Sequence, residues 1–148
     1  MTDIDISICQ TQGRIYAWIA DNGYDVKSFS DAYLTSKFCK NSMDTPYSRF
    51  QLEMELECLD FIMPEIQDKV YKLKNNMYFS KDIAEWIGFM YRYLYIYSGI
   101  KSCELKSDIP FDLMCKYYPG MHTIDEESVA EIMIENMKKD LAEKYERI

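Results

Sequence analysis

The chain has 148 residues, is 48% hydrophobic and carries a formal net charge of -8, a composition that suits one folded domain over residues 1–148. The acidity argues against binding nucleic acid by neutralising phosphates and against adsorption to anionic lipid; it either simply keeps the protein soluble or suits a basic protein as partner. The five cysteines form no Cys-x-x-Cys pair and the one histidine is His122, so neither a zinc site nor any other metal or cofactor site is expected. The first ten residues are acidic and lack a continuous apolar run, and the cysteine count is odd, which together predict a cytoplasmic protein with free, mostly buried thiols.

Ile4, Ile8, Ile15 and Ile19 recur along one stripe and predict a first helix that carries Tyr16 and Trp18 and stops at Asn22-Gly23. Gly13 weakens that helix by about 1 kcal/mol relative to alanine, so tertiary packing must hold it. Ser28 is the expected cap of a second helix reaching Cys39, with Phe29, Ala32, Tyr33 and Ser36 on one face and a loop over 41–44 behind it. Thr45-Pro46 then reads as the start of a helix to about Met63, with Phe50, Leu52, Leu56, Leu59 and Met63 as its core stripe and Pro64 ending or kinking it. Residues 65–76 read as a polar turn leading to a loop at Asn75-Asn76.

The stretch Ile83 to Gly99 is the densest apolar and aromatic segment, interrupted by charge only at Glu85 and Arg92. It predicts a central helix, opened by Ser80 and Asp82 and closed by Gly99, with Ile83, Ile87, Met90 and Leu94 on its core face. A membrane span needs roughly 20 mostly apolar residues, and this stretch is shorter, with Arg92 in its middle. Short helices over 102–106 and 109–117 follow, the second capped by Asp108, with Tyr118-Pro119-Gly120 as a turn. Asp125 caps a last helix with Val129, Ile132, Met133, Met137 and Leu141 at spacings of three and four. The expected fold is an all-α, single-domain bundle of six or seven helices around the aromatic-rich one.

Four constellations carry functional readings. Tyr91, Tyr93, Tyr95 and Tyr97 alternate, so neighbours point about 200° apart and one core face cannot take all of them; either some reach the surface, a partner or a second copy in a homodimer, or several helices surround this one and the phenol hydroxyls find partners at its edges. Arg92 in an apolar helix needs an acidic partner if buried, and Glu85, Asp82 or an acid of the last helix could supply it. His122-Thr123-x-Asp125 resembles part of a triad, but no nucleophile elbow accompanies it. Glu127, Glu131 and Glu135 line one helix face, where like charges repel unless a cation lies opposite; a solvated face and a landing strip for a basic partner are both open readings.

The segments Phe29-x-x-Ala32-Tyr33-Leu34-x-Ser36, Asp44-Thr45-Pro46-Tyr47-Ser48-Arg49-Phe50-Gln51, Trp86-Ile87-Gly88-Phe89-x-Tyr91-Arg92-Tyr93 and Met121-His122-Thr123-Ile124-Asp125 together resemble a family of short bacterial proteins. Members of that family are encoded beside toxin-like proteins related to ADP-ribosyltransferases, so the resemblance implies an antitoxin-like or immunity-type protein that neutralises a basic toxin or effector. The chain departs from the family pattern at Leu94, where an aromatic is usual, and at Glu126, where a proline is usual. The expected contact residues are Tyr91, Arg92, Tyr95, His122, Asp125, Glu127, Glu131 and Glu135. Two readings compete: a small enzyme working through Tyr91, Arg92, His122 and Asp125, and an acidic mimic of nucleic acid.

Overall fold

The computed structural model describes residues 1–46 and 48–146, so Tyr47 of the second resemblance segment lies outside the described residues. Among those described, the chain forms α1 (Asp3–Asp21), α2 (Val26–Leu34), α3 (Glu55–Ile66), α4 (Lys81–Ser98), α5 (Ser102–Asp108), α6 (Phe111–Met121) and α7 (Glu126–Glu146). The only extended pairing among them is an isolated antiparallel bridge between Tyr24 and Lys72. The architecture is all-α: among the described residues there are seven α-helices, and α1, α5, α6 and α7 pack on α4.

The sequence of α4 explains its central place. Tyr91, Arg92, Tyr93 and Leu94 are all buried, and four consecutive residues cover a full helical turn, so neighbours enclose this part of α4 on every side. Ser80 accepts from the Ile83 N–H, and Gly99 closes the helix at φ 76°, the left-handed conformation that glycine adopts without strain. Ile87, Met90 and Leu94 are fully buried, while Ile83 in the first turn is half-buried.

Helix α1 runs antiparallel along α4. A Cβ on Gly88 would lie 2.7 Å from the Tyr16 ring and 2.8 Å from the Gln12 carbonyl, and one on Gly13 would lie 3.0 Å from the Glu85 carbonyl. The two glycines therefore set the helix separation, and the packing they permit outweighs the helix propensity that Gly13 forfeits. Ile8, Ile15 and Ile19 are buried as expected, but Ile4 is 60% exposed because it lies beside the last turn of α4, where the partner helix runs out.

Several helix boundaries, in α2, α3, α5 and α6, differ from those expected. In α2 the cap is Asp25, whose carboxylate accepts from the Ser28 N–H at 2.8 Å. The helix ends at Leu34, because the hydroxyls of Thr35 and Ser36 bond carbonyls of the preceding turn. A π-helical turn, Cys39–Met43, stands where a loop was expected.

Helix α3 begins at Glu55, nine or ten residues after Thr45-Pro46; a 3-10 turn, Arg49–Leu52, precedes it, and the Glu57 carboxylate caps the Met54 N–H at 2.7 Å. That shift turns Leu52 and Leu56 outward, at 60% and 57% exposure, and makes Cys58, Leu59, Ile62 and Ile66 the buried face. Pro64 falls in the last turn, where it removes one i to i−4 hydrogen bond near the end of the helix, and the helix runs two residues past it. For α6 the N-cap is Pro110, Asp108 being the last residue of α5, and the helix continues through Pro119 and Gly120 to Met121. The Asp125 cap of α7 is present, with Ser128 N–H donating to its carboxylate at 3.0 Å.

Candidate functional site

Arg92 is fully buried, and all of its donor nitrogens are engaged. Nε and Nη2 donate to the Gln12 side-chain oxygen at 3.0 and 2.9 Å. Nη1 donates to the Asp44 carboxylate at 2.7 Å and to the Met43 carbonyl at 3.1 Å, and Nη2 also reaches Cys39 Sγ and Ser102 Oγ. The ionic partner is thus Asp44 rather than Glu85, Asp82 or an acid of α7. Asp44 in turn accepts from the Ser102 N–H at 2.7 Å and its hydroxyl at 2.6 Å, so both carboxylate oxygens are saturated. Burial opposes the guanidinium charge, but Cys39, Tyr33, Asp44 and the Asp44 hydrogen bond raise its pKa overall; since the thiol and phenol are neutral at pH 7, Asp44 is the effective counterion.

This network ties α1, α2, α4 and α5 to the turn at 39–44, with Gln12 also accepting from Tyr33 Oη at 2.7 Å and donating to the Gly88 carbonyl at 2.8 Å. Its completeness assigns Arg92 to structure: a guanidinium with no free donor and no exposed surface cannot meet a partner. Tyr91 is corrected in the same way, because it is buried and its hydroxyl donates to the Ile109 carbonyl at 2.7 Å.

Tyr95 is half-buried, with its ring 4.9 Å from the Arg92 guanidinium carbon. It borders a cavity of about 710 Å³ between the start of α1, the end of α4 and the 3-10 turn, walled mainly by Ile4, Ile8, Leu52 and Ile96. Arg92 touches that cavity without offering it a free N–H. Tyr93 is buried like Tyr91 although the two point about 200° apart, because neighbours enclose this part of α4, and Tyr97 is 42% exposed because it lies at the end of the helix. Phe89, Tyr93 and Tyr97, one turn apart, stack at 6.2 and 6.3 Å, so an aromatic ladder climbs α4 toward solvent.

The other expected contact residues gather at the corner between α6 and α7. His122 is exposed and lies flat on Tyr118, ring centroids 4.3 Å apart and planes at 15°. His122 Nδ1 is 2.7 Å from the Tyr118 carbonyl, which can only accept, so Nδ1 carries the proton and donates. Tyr118 meets Trp86 of α4 edge-on at 5.6 Å. Trp86, Phe89, Tyr118 and His122 wall a cavity of about 280 Å³ whose acidic members are Asp82, Glu85 and Glu126. From this corner α7 leads away with Glu127, Glu131 and Glu135 all exposed.

The four residues of the enzyme reading are not brought together: Tyr91 and Arg92 are buried with partners of their own, while His122 and Asp125 lie exposed at the corner and bond only to local backbone. All five cysteines are free. Burial pushes the Cys9 thiol up to about 12, and burial with Glu53, Glu57 and Glu55 nearby pushes Cys58 up to about 11, so neither is a thiolate at neutral pH. Among the described residues no group of histidine, cysteine and carboxylate side chains is arranged to hold a metal ion, and no helix is long and apolar enough to cross a membrane. No family model, curated protein or solved structure matches the chain.

Sequence reasoning missed Gln12, whose isolated amide in an apolar stripe was the available signal, and Asp44, read as part of a loop. It also missed Trp86 and Tyr118 as walls of the corner, because the edge contact joins residues 32 apart in sequence, a pairing that no local period encodes.

Proposed function

We propose that the chain is a non-catalytic, antitoxin-like binding protein that covers a basic surface of a toxin or effector with the outer face of α7 and the adjoining corner. The observation that carries this reading is the glutamate row on α7. Glu127, Glu131 and Glu135 are exposed, and none is in a salt bridge among the described residues. Each i,i+4 pair of like charges costs the helix about 0.2–0.5 kcal/mol; Lys138 and Lys139 follow Glu135 by three and four residues, but no lysine or arginine stands at those spacings from Glu127 or Glu131. A partner with cations spaced along about 12 Å, the length of eight helical residues, would offset that cost.

Division of labour follows from position. Exposed glutamates at the rim steer association and contribute little net affinity, while the half-buried Trp86 and Tyr118 and the exposed end of the Phe89–Tyr93–Tyr97 ladder supply apolar contact that water leaves on binding. His122 belongs to the contact through its ring on Tyr118, and Asp125 through the cap that fixes where α7 starts.

The test is binding kinetics to the product of the adjacent gene, for wild type and for the triple variant Glu127→Lys, Glu131→Lys, Glu135→Lys, across a salt series. Lysine and glutamate have similar helix propensity, so the helix is kept. The wild-type on-rate should fall steeply as the Debye length shrinks from about 10 Å at 0.1 M to about 3 Å at 1 M, and the variant should associate at least about tenfold more slowly at low salt. Equal on-rates would remove this face from the contact, and absence of binding by wild type would overturn the antitoxin reading.

A further inference from the structure

The cavity at the α4–α6–α7 corner combines features that recur elsewhere in the molecule with one that is missing. Four other aromatic rings carry one of the chain's own cations on a face: Arg49 lies 4.6 Å from the Phe50 centroid and 5.8 Å from that of Phe61, Lys72 lies 5.1 Å from Tyr24 and Arg92 lies 4.9 Å from Tyr95. The Trp86–Tyr118–His122 group has three carboxylates beside it, Asp82, Glu85 and Glu126, and no such cation among the described residues. None of the three carboxylates makes a salt bridge there either, and Lys81, adjacent in sequence, is held by Asp21 at 3.2 Å.

The charge at this corner favours a cation even after the local backbone is counted. The N-termini of α4 and α7 each contribute roughly half a positive charge, against which the three carboxylates stand as full negative charges at neutral pH. The carboxylates do not converge closely enough to make a metal site, and the space between rings and acids, about 280 Å³, suits an organic cation instead. Flat aromatic walls with carboxylates around them match a guanidinium, which is planar, stacks on rings and pairs with carboxylates through a fork of donors; an ammonium is a compact point charge that gains less from such walls.

We infer that the Trp86–Tyr118–His122 cavity is a receptor for a single arginine side chain of the partner protein, its guanidinium set against the rings and paired with Glu85 and Glu126. This deepens the proposed function and rests on it for the identity of the partner, while the pocket's chemistry can be tested without one.

Trp86 is one of two tryptophans, so Trp18→Phe makes it the sole reporter. In that background, Nα-acetyl-arginine methylamide is titrated at constant ionic strength while Trp86 emission is followed, beside the lysine analogue and the citrulline analogue, a neutral isostere of arginine. The arginine probe should give a saturable change, the lysine probe should bind about 3–10-fold more weakly, and citrulline should give no saturable change. The double variant Glu85→Gln, Glu126→Gln should weaken the arginine probe by about 5–20-fold with an unchanged far-ultraviolet spectrum. An equal response to citrulline, lysine binding as tight as arginine, or no saturable response to arginine would each overturn the inference. If the probe fails while the glutamate row of α7 still steers binding of the adjacent gene product, the pocket is wrong and the wider reading stands. If the probe binds but the gene product does not, the pocket stands and the partner is another arginine-bearing protein.

Discussion

Two regions hold charged groups among aromatic rings, and they treat charge in opposite ways. Around Arg92 each donor meets an acceptor: Asp44, Gln12, Ser102 and the Met43 carbonyl close the set, and no buried side-chain nitrogen or oxygen among the described residues lacks a partner. At the Trp86–Tyr118 corner Asp82, Glu85 and Glu126 are exposed and make no salt bridge among the described residues. A closed network gives up its reactivity in return for geometry, since nothing is left to offer a ligand. An open one keeps its charge available. The comparison teaches that an arginine in an aromatic motif is no guide to function until its partners are known, whereas carboxylates without a partner leave their charge open to one.

The sharpest way to break this comparison is at its closed half. Asp44→Ala leaves the Arg92 guanidinium buried without a counterion and strips the Ser102 N–H of its acceptor, so it should cost about 3–5 kcal/mol and lower the urea midpoint accordingly. Glu85→Gln and Glu126→Gln, at exposed positions without partners, should leave that midpoint within experimental scatter. Similar losses in both halves would mean that the corner is structural too.

Gly88→Ala tests the closed half from a second side. The added methyl would sit 2.7 Å from the Tyr16 ring and 2.8 Å from the Gln12 carbonyl, and backbone cannot step aside cheaply. Separating α1 from α4 also lengthens the Gln12 to Gly88 hydrogen bond, now 2.8 Å, on which the orientation of Gln12 toward Arg92 depends. Overpacking of this kind costs about 1–3 kcal/mol, and the gain of about 1 kcal/mol in helix propensity offsets only part of it. A variant as stable as wild type would show that the helix separation is set by something other than these two glycines.

The same contrast explains which features were legible in the sequence. The central helix, the Ser80, Gly99 and Asp125 caps and the exposure of the α7 glutamates follow from local period and capping chemistry, and all are present. The start of α3 was misplaced because Thr45-Pro46 carries a strong local start signal, yet the turn at 39–44 and the demand of Arg92 for Asp44 hold that segment in another path. Pro119-Gly120 carries a turn signal, yet α6 runs through both residues to Met121. Contacts such as Gln12 with Arg92, 80 residues apart, depend on how helices are assembled and leave no periodic trace.

The smallest expected effect concerns the seam between the open corner and α7. The Ser128 backbone N–H donating to Asp125, with the Ser128 hydroxyl beside it, holds the Asp125 carboxyl below its ordinary value of 3.8. A carboxyl depressed in the folded state stabilises the fold fully above its unfolded pKa and loses that contribution as pH falls through the lower, folded value. Asp125→Asn keeps an oxygen that can cap the helix but removes the charge that favours the helix N-terminus. Wild type should therefore unfold at a slightly higher temperature than Asp125→Asn between pH 5 and 7, about two decades of proton concentration in which the carboxyl is ionised in both states. The gap should narrow below the ordinary value of 3.8 and close once the folded carboxyl is protonated. Parallel melting temperatures for the two proteins down to about pH 2 would show that Asp125 acts by hydrogen-bond geometry alone, and that the charge at the start of α7 is as free for a partner as that of Glu126 beside it.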